Sequence, residues 1–265
     1  MKLKNIVKVM NLHALLRVDN SRKTAEKYFA YEQTLREFVD TIFNNRNLIL
    51  DKKTLKMNRK ARELNIYIAN DMEFCGNFNT NIREEINKDK DSYKIIIGRK
   101  VRNDKDDTVF AMDKEQYKDR IAEIQEILYD GILNSRCKEI NIIYNHYYNI
   151  SKIELIKKRL YPLEDMKPKD TTKYNVDFAV EGDINDILIR IIVLYLLYEI
   201  RVCVENSYAS ENIMRQEITK ESLKKIDEME EERIREERKE LTAKSFQKSL
   251  EVYTSNQITE DKNEG

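Results

Sequence analysis

Glycine and proline are scarce in this sequence, and tryptophan is absent. The 265 residues include five Gly and two Pro, while 36% of them are charged. Because Gly and Pro interrupt helices, this composition is typical of long helices rather than of an average globular domain. Hydrophobic residues still make up 41% of the chain, which is enough for a packed core. The composition therefore predicts a mostly helical chain with one large or two small domains.

Net charge is also missing, since 48 basic residues balance 48 acidic ones. A chain without an overall field has no general attraction for DNA, RNA or an anionic membrane surface, so no nucleic acid partner is expected. The cysteines Cys75, Cys137 and Cys203 are widely separated and lack CxxC spacing. This pattern disfavours a metal site or a disulfide framework and suits reduced thiols in the cytosol.

No apolar run is clean enough for a membrane span or an export signal. The most apolar stretch, ILIRIIVLYLLYEIRVCV, is 18 residues long but contains Arg190, Glu199 and Arg201. Charged side chains are costly at a bilayer centre, so this stretch is interpreted as a helix buried within the protein. Basic residues also interrupt the start of the chain, which is interpreted as an amphipathic helix.

Two regions without Gly or Pro predict long helices at both ends of the chain. One runs from Asp183, the expected cap, to Glu264, and the other from Met1 to about Asn58. In the second, large apolar side chains recur at three- and four-residue steps, at Tyr28, Tyr31, Leu35, Phe38 and Ile42. A helix of roughly seventy residues would be about 100 Å long and would expose its apolar side chains if left alone. The two helices are therefore expected to pair as an antiparallel coiled-coil shaft.

The middle of the chain has a different pattern. ELNIYIAND, SYKIIIGRK and EINIIYNHYYN predict strands, and KYNVDFAVEG predicts one more after a loop that holds both prolines. MDKEQYKDRIAEIQEILYDGI predicts an amphipathic helix ended by Gly131. This alternation favours a small Rossmann-like, mostly parallel sheet inserted between the terminal helices. The expected parts are a first shaft helix (1–58), the α/β domain (59–182), a second shaft helix (183–256) and a flexible tail (257–265).

Small residues interrupt the second helix in ENSYASENIMR. Ala209 and Ser210 are expected to let two backbones approach closely where the shaft meets the domain, and Glu211 and Arg215 are spaced to pair on one face. The full set of residues predicted to pack the shaft is Met10, Tyr31, Leu35, Ala209, Ser210 and Arg215. Further on, Asp227 to Glu240 contains twelve charged residues in fourteen. That segment predicts either an ordinary solvated helix or a functional surface.

Six segments, in order from about Ile6 to Leu250, together resemble the γ subunit of F-type ATP synthases. IANDMEFCGNFNTNI is similar to the pattern around S-D-x-G-L-C-G-x-x-N, and IIIGRK to I-G-R-K-G. IIYNHYYN…YPL is similar to Y-N-x-F…L-P-L, and ENSYASENIMR to E-N-x-A-S-E-x-x-x-R. IVKVM resembles I-T-K-A-M, and YEQTLREFV resembles Y-A-E-K-L-R-E-V.

The resemblance implies a rotor that is not itself catalytic and that needs no cofactor. The paired helices would form a shaft inside a hexamer of alternating α- and β-type ATPase subunits. The α/β domain would be a foot that binds an ε-like subunit and, in coupled enzymes, a membrane ring of c subunits. Such a protein is cytoplasmic and peripheral at the inner face of the cell membrane. The residues implied for the foot are Asp71, Cys75, Gly76, Gly98, Arg99 and Lys100. Those expected to contact the hexamer are Lys8, Leu241, Thr242, Phe246 and Leu250.

Departures from the family pattern keep other interpretations open. Glu73 stands where the family has a glycine, and Leu241 and Thr242 stand where it has an R-Q pair. The alternatives are a divergent F-type-like rotor that drives another machine without a proton channel, and a coiled-coil scaffold that dimerises. A different register, with LKNI on the family's L-K-E-I, would need a large deletion before Asp71, so the first register is preferred.

Overall fold

The computed structural model describes residues 2–44, 58–73, 75–101, 107–149, 152–163 and 181–261. They form α1 (Lys2–Asn44), β1 (Arg62–Ile68), α2 (Phe78–Lys88), β2 (Tyr93–Ile97), β3 (Thr108–Met112), α3 (Lys114–Asp119), α4 (Ile121–Leu133), β4 (Cys137–Asn149), β5 (Lys152–Tyr161) and α5 (Ile184–Asp261). The chain divides into two compact units. The sheet unit is Asn11–Ile218, and the terminal unit is Met1–Met10 with Thr219–Gly265.

The sheet has the strand order β3-β2-β1-β4-β5. The first four strands are parallel, and β5 runs antiparallel to β4. This confirms the predicted mostly parallel sheet. The sequence did not reveal β3 or β5. β3 is a five-residue edge strand with one buried side chain, and β5 carries four basic residues, so neither has the apolar pattern of a central strand.

Apolar side chains cover both faces of the central strands, as expected when helices lie on each side. One face of the sheet packs on α4 and α5, and this larger cluster includes Ile66, Ile95 and Ile142. The opposite face packs on α2 through Tyr67 and Ile96. The most apolar stretch of the sequence lies in α5 and contributes many side chains to the larger cluster, so its interpretation as a buried helix is confirmed.

The predicted helix after β3 is two helices, with a break at Arg120. Asp113 caps the first of them by accepting a hydrogen bond from the Gln116 backbone, 2.8 Å away, in a capping box. The second helix continues to Leu133, so the prediction that Gly131 ends it is wrong. Gly131 lies inside the helix, where a Cβ would make a tight contact with Cys137 Sγ at 3.2 Å.

Within the sheet unit, α1 and α5 run antiparallel. Asn11 donates to the Gln216 carbonyl at 2.9 Å, and the Tyr28 and Tyr31 rings both lie against Tyr198. The buried side chains of α1, at residues 14, 18, 21, 25, 32, 39 and 42, follow a heptad spacing together with the partly buried Tyr28 and Leu35. The predicted seam therefore included one wrong position, because Phe38 is 58% exposed while its neighbour Val39 is buried. Tyr31 lies at the margin of the seam, since its ring contacts Tyr198 but its neighbour Glu32 is the buried residue.

In the terminal unit, Lys4 of α1 lies between Asp227 and Glu230 of α5, with N–O distances of 2.6 and 2.7 Å. The two carboxylates raise the pKa of Lys4. From residue 231 to residue 252, every side chain of α5 is exposed. Arg233 and Glu237 lie 3.6 Å apart along this surface. The solvated helix predicted for the charged segment agrees with this exposure.

Asp183 caps α5 as predicted, since its carboxylate accepts from the Asn185 backbone at 2.9 Å. The helix continues to Asp261, beyond the expected end at 256. The predicted strand KYNVDFAVEG lies almost wholly outside the described residues, as does most of the proline-containing loop before it. Among the helices described, none combines the length and apolar character that crossing a membrane would require.

Candidate functional site

Three of the segments that carry the family motifs meet at the carboxyl ends of the parallel strands. We call this place the strand-end junction: Ala69–Glu73, Cys75 and Gly76 after β1, Gly98–Lys100 after β2, Lys114 after β3, and Glu205–Arg215 of α5. In open α/β sheets this edge is where ligands usually bind. Here Ser207, Tyr208 and Glu211 of α5 line the crevice, and only about 10 Å³ remains within it. The long helix therefore occupies the position of a ligand.

Glu211 is the central polar contact of the junction. It is 3% exposed, and its carboxylate accepts a hydrogen bond from the Met72 backbone at 2.8 Å. Burial raises the pKa of Glu211 to about 7, and the hydrogen bond from Met72 opposes that rise. Guanidinium nitrogens of Arg215 and Arg17 lie 2.9 and 3.0 Å from the Met72 sulfur. Met72 therefore joins β1 to both α5 and α1.

Asp71 ties three strand ends together. Its carboxylate accepts from the backbone N–H of Arg99 at 2.6 Å and from that of Lys114 at 2.8 Å. The Arg99 side chain donates back to the Asp71 carbonyl at 3.1 Å. Hydrogen bonds to an ionised acceptor are among the strong ones in proteins, so this residue fixes the loops after β1, β2 and β3 against each other.

Lys114 connects α3 to α5 and was not identified from the sequence. Its ammonium lies 3.2 Å from a Glu205 carboxylate oxygen and 3.2 Å from the centre of the Tyr208 ring. Burial lowers the pKa of Lys114 to about 8, against the opposing effect of Glu205. The sequence did contain a clue, because a capping box beginning at Asp113 marks a helix start that follows a strand.

Two glycines of the junction are required by the backbone. Gly98 has φ +135°, and a Cβ there would lie 2.6 Å from the Ala69 carbonyl carbon. Gly76 has φ +55°, and its Cβ would approach Ile218 at 3.3 Å. Glycine is the residue that adopts such dihedrals at low cost. The two loops can approach each other and α5 only because these positions lack a side chain.

Cys75 is buried, and burial followed by the nearby Glu211 carboxylate raises the pKa of its thiol to about 12. Glu73 lies at the surface and pairs with Lys100, 2.8 Å away.

The small residues of ENSYASENIMR face a neighbour that the sequence did not reveal. Ala209 and Ser210 are both buried, and the Ser210 hydroxyl lies 3.1 Å from the Asn145 carbonyl of β4. A small side chain thus allows α5 to pack closely on the sheet. Glu211 and Arg215, predicted to pair with each other, both contact Met72.

The remaining predicted residues lie elsewhere. Met10 is partly buried in the terminal unit, and Leu35 packs against the main core. The five residues expected to contact a hexamer are all exposed in the terminal unit: Lys8, Leu241, Thr242, Phe246 and Leu250. Leu241 and Phe246 are each 67% exposed. Their contacts with other subunits stay a prediction.

Comparisons with known proteins agree with the motif order. The family model described as ATP synthase matches residues 1–240. The ATP synthase gamma chain of Clostridium novyi is 28% identical over 226 residues, which cover 80% of this chain and 78% of that protein. The corresponding chain of Clostridium kluyveri is 26% identical, covering 79% and 77%.

Solved structures show the same fold. The Tetrahymena thermophila mitochondrial ATP synthase central stalk and c-ring structure matches with a TM-score of 0.54 and 19% identity, over 82% of this chain and 99% of that one. The rotor of Euglena gracilis mitochondrial ATP synthase matches with a TM-score of 0.56 and 18% identity, over 91% and 94%. The present chain belongs to the ATP synthase family, as a non-catalytic γ subunit of the F-type central stalk.

Proposed function

We propose that this γ subunit turns within a hexamer of α- and β-type ATPase subunits, and that the strand-end junction makes the sheet unit turn with α5. The observation that carries the proposal is the buried Glu211 carboxylate bonded to the Met72 backbone. A purely apolar contact between the helix and the sheet could slide, whereas the hydrogen bonds accepted by the carboxyl groups of Glu211 and Asp71 are directional. A joint of this kind resists slip between the helix and the sheet when torque is applied.

Coupling requires no catalytic group in this chain. Each angle of a rotor stabilises a different conformation at the catalytic sites of the hexamer, and nucleotide binding biases the angle reciprocally. The exposed, mixed-charge surface at residues 231–252 is suited to this task. Mixed charge avoids one deep electrostatic minimum, and apolar contact through Phe246 and Leu250 limits sideways movement without fixing an angle.

Beyond the hexamer, the partners proposed for the sheet unit are an ε-like subunit and, in a proton-coupled complex, a c ring. That arrangement would hold the protein at the inner face of the cell membrane. The structural similarity to the Tetrahymena central stalk, which is named together with its c ring, supports this assembly. A divergent rotor without a proton channel would use the same hexamer but would lack the ring.

Co-expression with the cognate α- and β-type subunits tests the assembly. We expect one copy of this chain per hexamer, measured by native mass spectrometry, and no stable homodimer of the chain alone. Two or more copies per hexamer would contradict the rotor role, and a homodimer with no hexamer would favour the scaffold alternative. Recovery of c subunits from detergent extracts distinguishes the coupled rotor from the divergent one.

A further inference from the structure

A cavity of about 180 Å³ lies in the sheet unit, between α1, α3, α4 and α5. We call it the four-helix cavity. Its charged lining is Lys114 and Lys118 of α3 and Arg201 and Glu205 of α5, and its aromatic walls include Tyr28 and Tyr117. It is distinct from the filled crevice of the strand-end junction, although Lys114 borders both.

Positive charge exceeds negative charge around this cavity. Glu205 is the single carboxylate in the lining, and it already pairs with Lys114 at 3.2 Å. The Arg201 guanidinium is held by the rings of Tyr28 and Tyr198, at 5.4 and 5.1 Å from their centres. Within the described ranges, no carboxylate forms an ion pair with Arg201 or Lys118. Of the described cations beside the cavity, the partly buried Arg201 and the exposed Lys118 are therefore not neutralised by an ion pair.

Tyr117 adds a buried donor to the same wall. The residue is 4% exposed, and its hydroxyl has no hydrogen-bond partner of good geometry among the residues that the structure describes, although the Arg201 side chain lies close to it. Arg201 is the charged group with the largest effect on this hydroxyl, whose pKa is raised chiefly by burial. Most buried polar groups in proteins have a hydrogen-bond partner, and leaving a buried hydroxyl without one is unfavourable. Hydroxyl, guanidinium and ammonium groups can all donate hydrogen bonds, so the lining of the cavity is complementary to a ligand that accepts hydrogen bonds.

We propose that the four-helix cavity binds a small oxyanion of the size and charge of inorganic phosphate or sulfate. A water molecule occupies roughly 30 Å³ of liquid, so the cavity has room for such an anion with a few waters. It is smaller than the roughly 300–1,000 Å³ of pockets that take drug-sized ligands, which excludes a nucleotide. Because residues of α1, α3 and α5 line the cavity, a bound anion would also hold these helices together. This inference does not depend on assembly with a hexamer.

The test is isothermal titration of the full chain with sodium phosphate and, separately, sodium sulfate, with sodium chloride keeping the ionic strength constant. We expect saturable binding of one anion per chain, and a raised melting temperature in either anion relative to chloride alone. Lys118→Gln should weaken binding about tenfold or more, since a hydrogen bond to a charged group is lost. Lys224→Gln is the matched control, because it removes the same charge from an exposed site whose nearest carboxylate, that of Glu228, is 3.8 Å away.

A second variant separates binding from folding. Tyr117→Phe keeps the ring and removes only the hydroxyl, so the free protein should be at least as stable while its affinity for sulfate falls several-fold. Sulfate binding should also weaken above about pH 8, because burial lowers the pKa of Lys114 to about 8. The groups that face Lys114 are Glu205, Glu211, Tyr208 and Lys118. Absence of saturable binding, or equal affinities for Lys118→Gln, Tyr117→Phe and Lys224→Gln, would overturn the proposal.

Discussion

Two stretches of the same helix, α5, differ in almost every physical property. Between Glu205 and Arg215 the side chains are buried or partly buried, and the carboxylates of Glu205 and Glu211 bond to specific partners. Between residues 231 and 252 every side chain is exposed, and side chains of both charges are mixed with uncharged ones. The first stretch is anchored by directional contacts, whereas the side chains of the second face water. One helix can thus be a fixed joint at one place and an exposed surface at another.

The largest effect is expected from a change that breaks the fixed stretch at its backbone. Gly98→Ala would place a Cβ 2.6 Å from the Ala69 carbonyl carbon at a φ of +135°. We expect a loss of about 3 kcal/mol or more in unfolding free energy, measured by urea denaturation. Gly131→Ala is the control, since that glycine lies in a helix and would meet a single sulfur at 3.2 Å. Equal losses for the two variants would contradict the special role of the junction backbone.

Glu211 should matter next. Glu211→Ala leaves the partly buried Met72 N–H without its acceptor and should cost about 1–3 kcal/mol. Glu211→Gln keeps an acceptor and should cost less. An alanine variant as stable as the glutamine variant would show that the hydrogen bond to Met72 contributes little.

The same residue predicts a pH dependence. Its pKa is 4.5 in an exposed chain and about 7 when folded, so the folded protein holds the extra proton between these values. Its contribution to stability is therefore largest below pH 4.5, falls as the pH rises to 7, and is constant above. The difference between wild type and Glu211→Gln should change by up to about 3 kcal/mol over this range. Glu32, whose pKa is also raised by burial and by Glu199, titrates in both proteins. Its contribution to the pH dependence therefore cancels when the two unfolding free energies are subtracted. A flat difference would contradict the assignment.

An effect no larger than that of Glu211→Ala is expected from crowding the contact between α5 and its neighbours. Ala209 is 1% exposed, so Ala209→Leu should cost roughly 1–3 kcal/mol by overpacking. Ala243→Leu makes the same change at an exposed position of α5 and should leave the melting temperature nearly unchanged. Equal melting temperatures for the two variants would contradict the close packing of α5 at Ala209.

The smallest effect is expected on the exposed stretch. Exchanging Arg233 and Glu237, which lie 3.6 Å apart, should change the unfolding free energy by less than about 0.5 kcal/mol. Their charges are screened by water, so the stability should not depend on which of the two positions carries the arginine. A loss above 1 kcal/mol on thermal denaturation would mean that this surface is not solvated as described.

Sequence patterns predicted the parts of the fold that depend on local periodicity. The long helices and strands β1, β2 and β4 are apolar enough to be recognised alone, whereas edge strand β3 and the lysine-rich β5 are not. The motifs identified Asp71, Gly98 and Glu211 as notable, but not what they contact. Met72 and Glu211 are 139 residues apart in sequence, and no pattern within the sequence shows that they meet. Lys114 was missed because the strand before it was missed.

The most direct test of the account is single-molecule rotation of the sheet unit on an assembled hexamer supplied with ATP. The native cysteines are all buried, so a Lys157→Cys variant offers one exposed thiol on β5 for attachment of a probe. With the hexamer fixed to a surface, we predict unidirectional rotation of the probe with undiminished torque in the Ala243→Leu background. We predict reduced torque in the Glu211→Ala background, where the joint is weakened. Sustained ATP hydrolysis with a stationary probe in the otherwise unchanged protein would contradict the claim that this chain is a rotor joined to its sheet unit at Glu211.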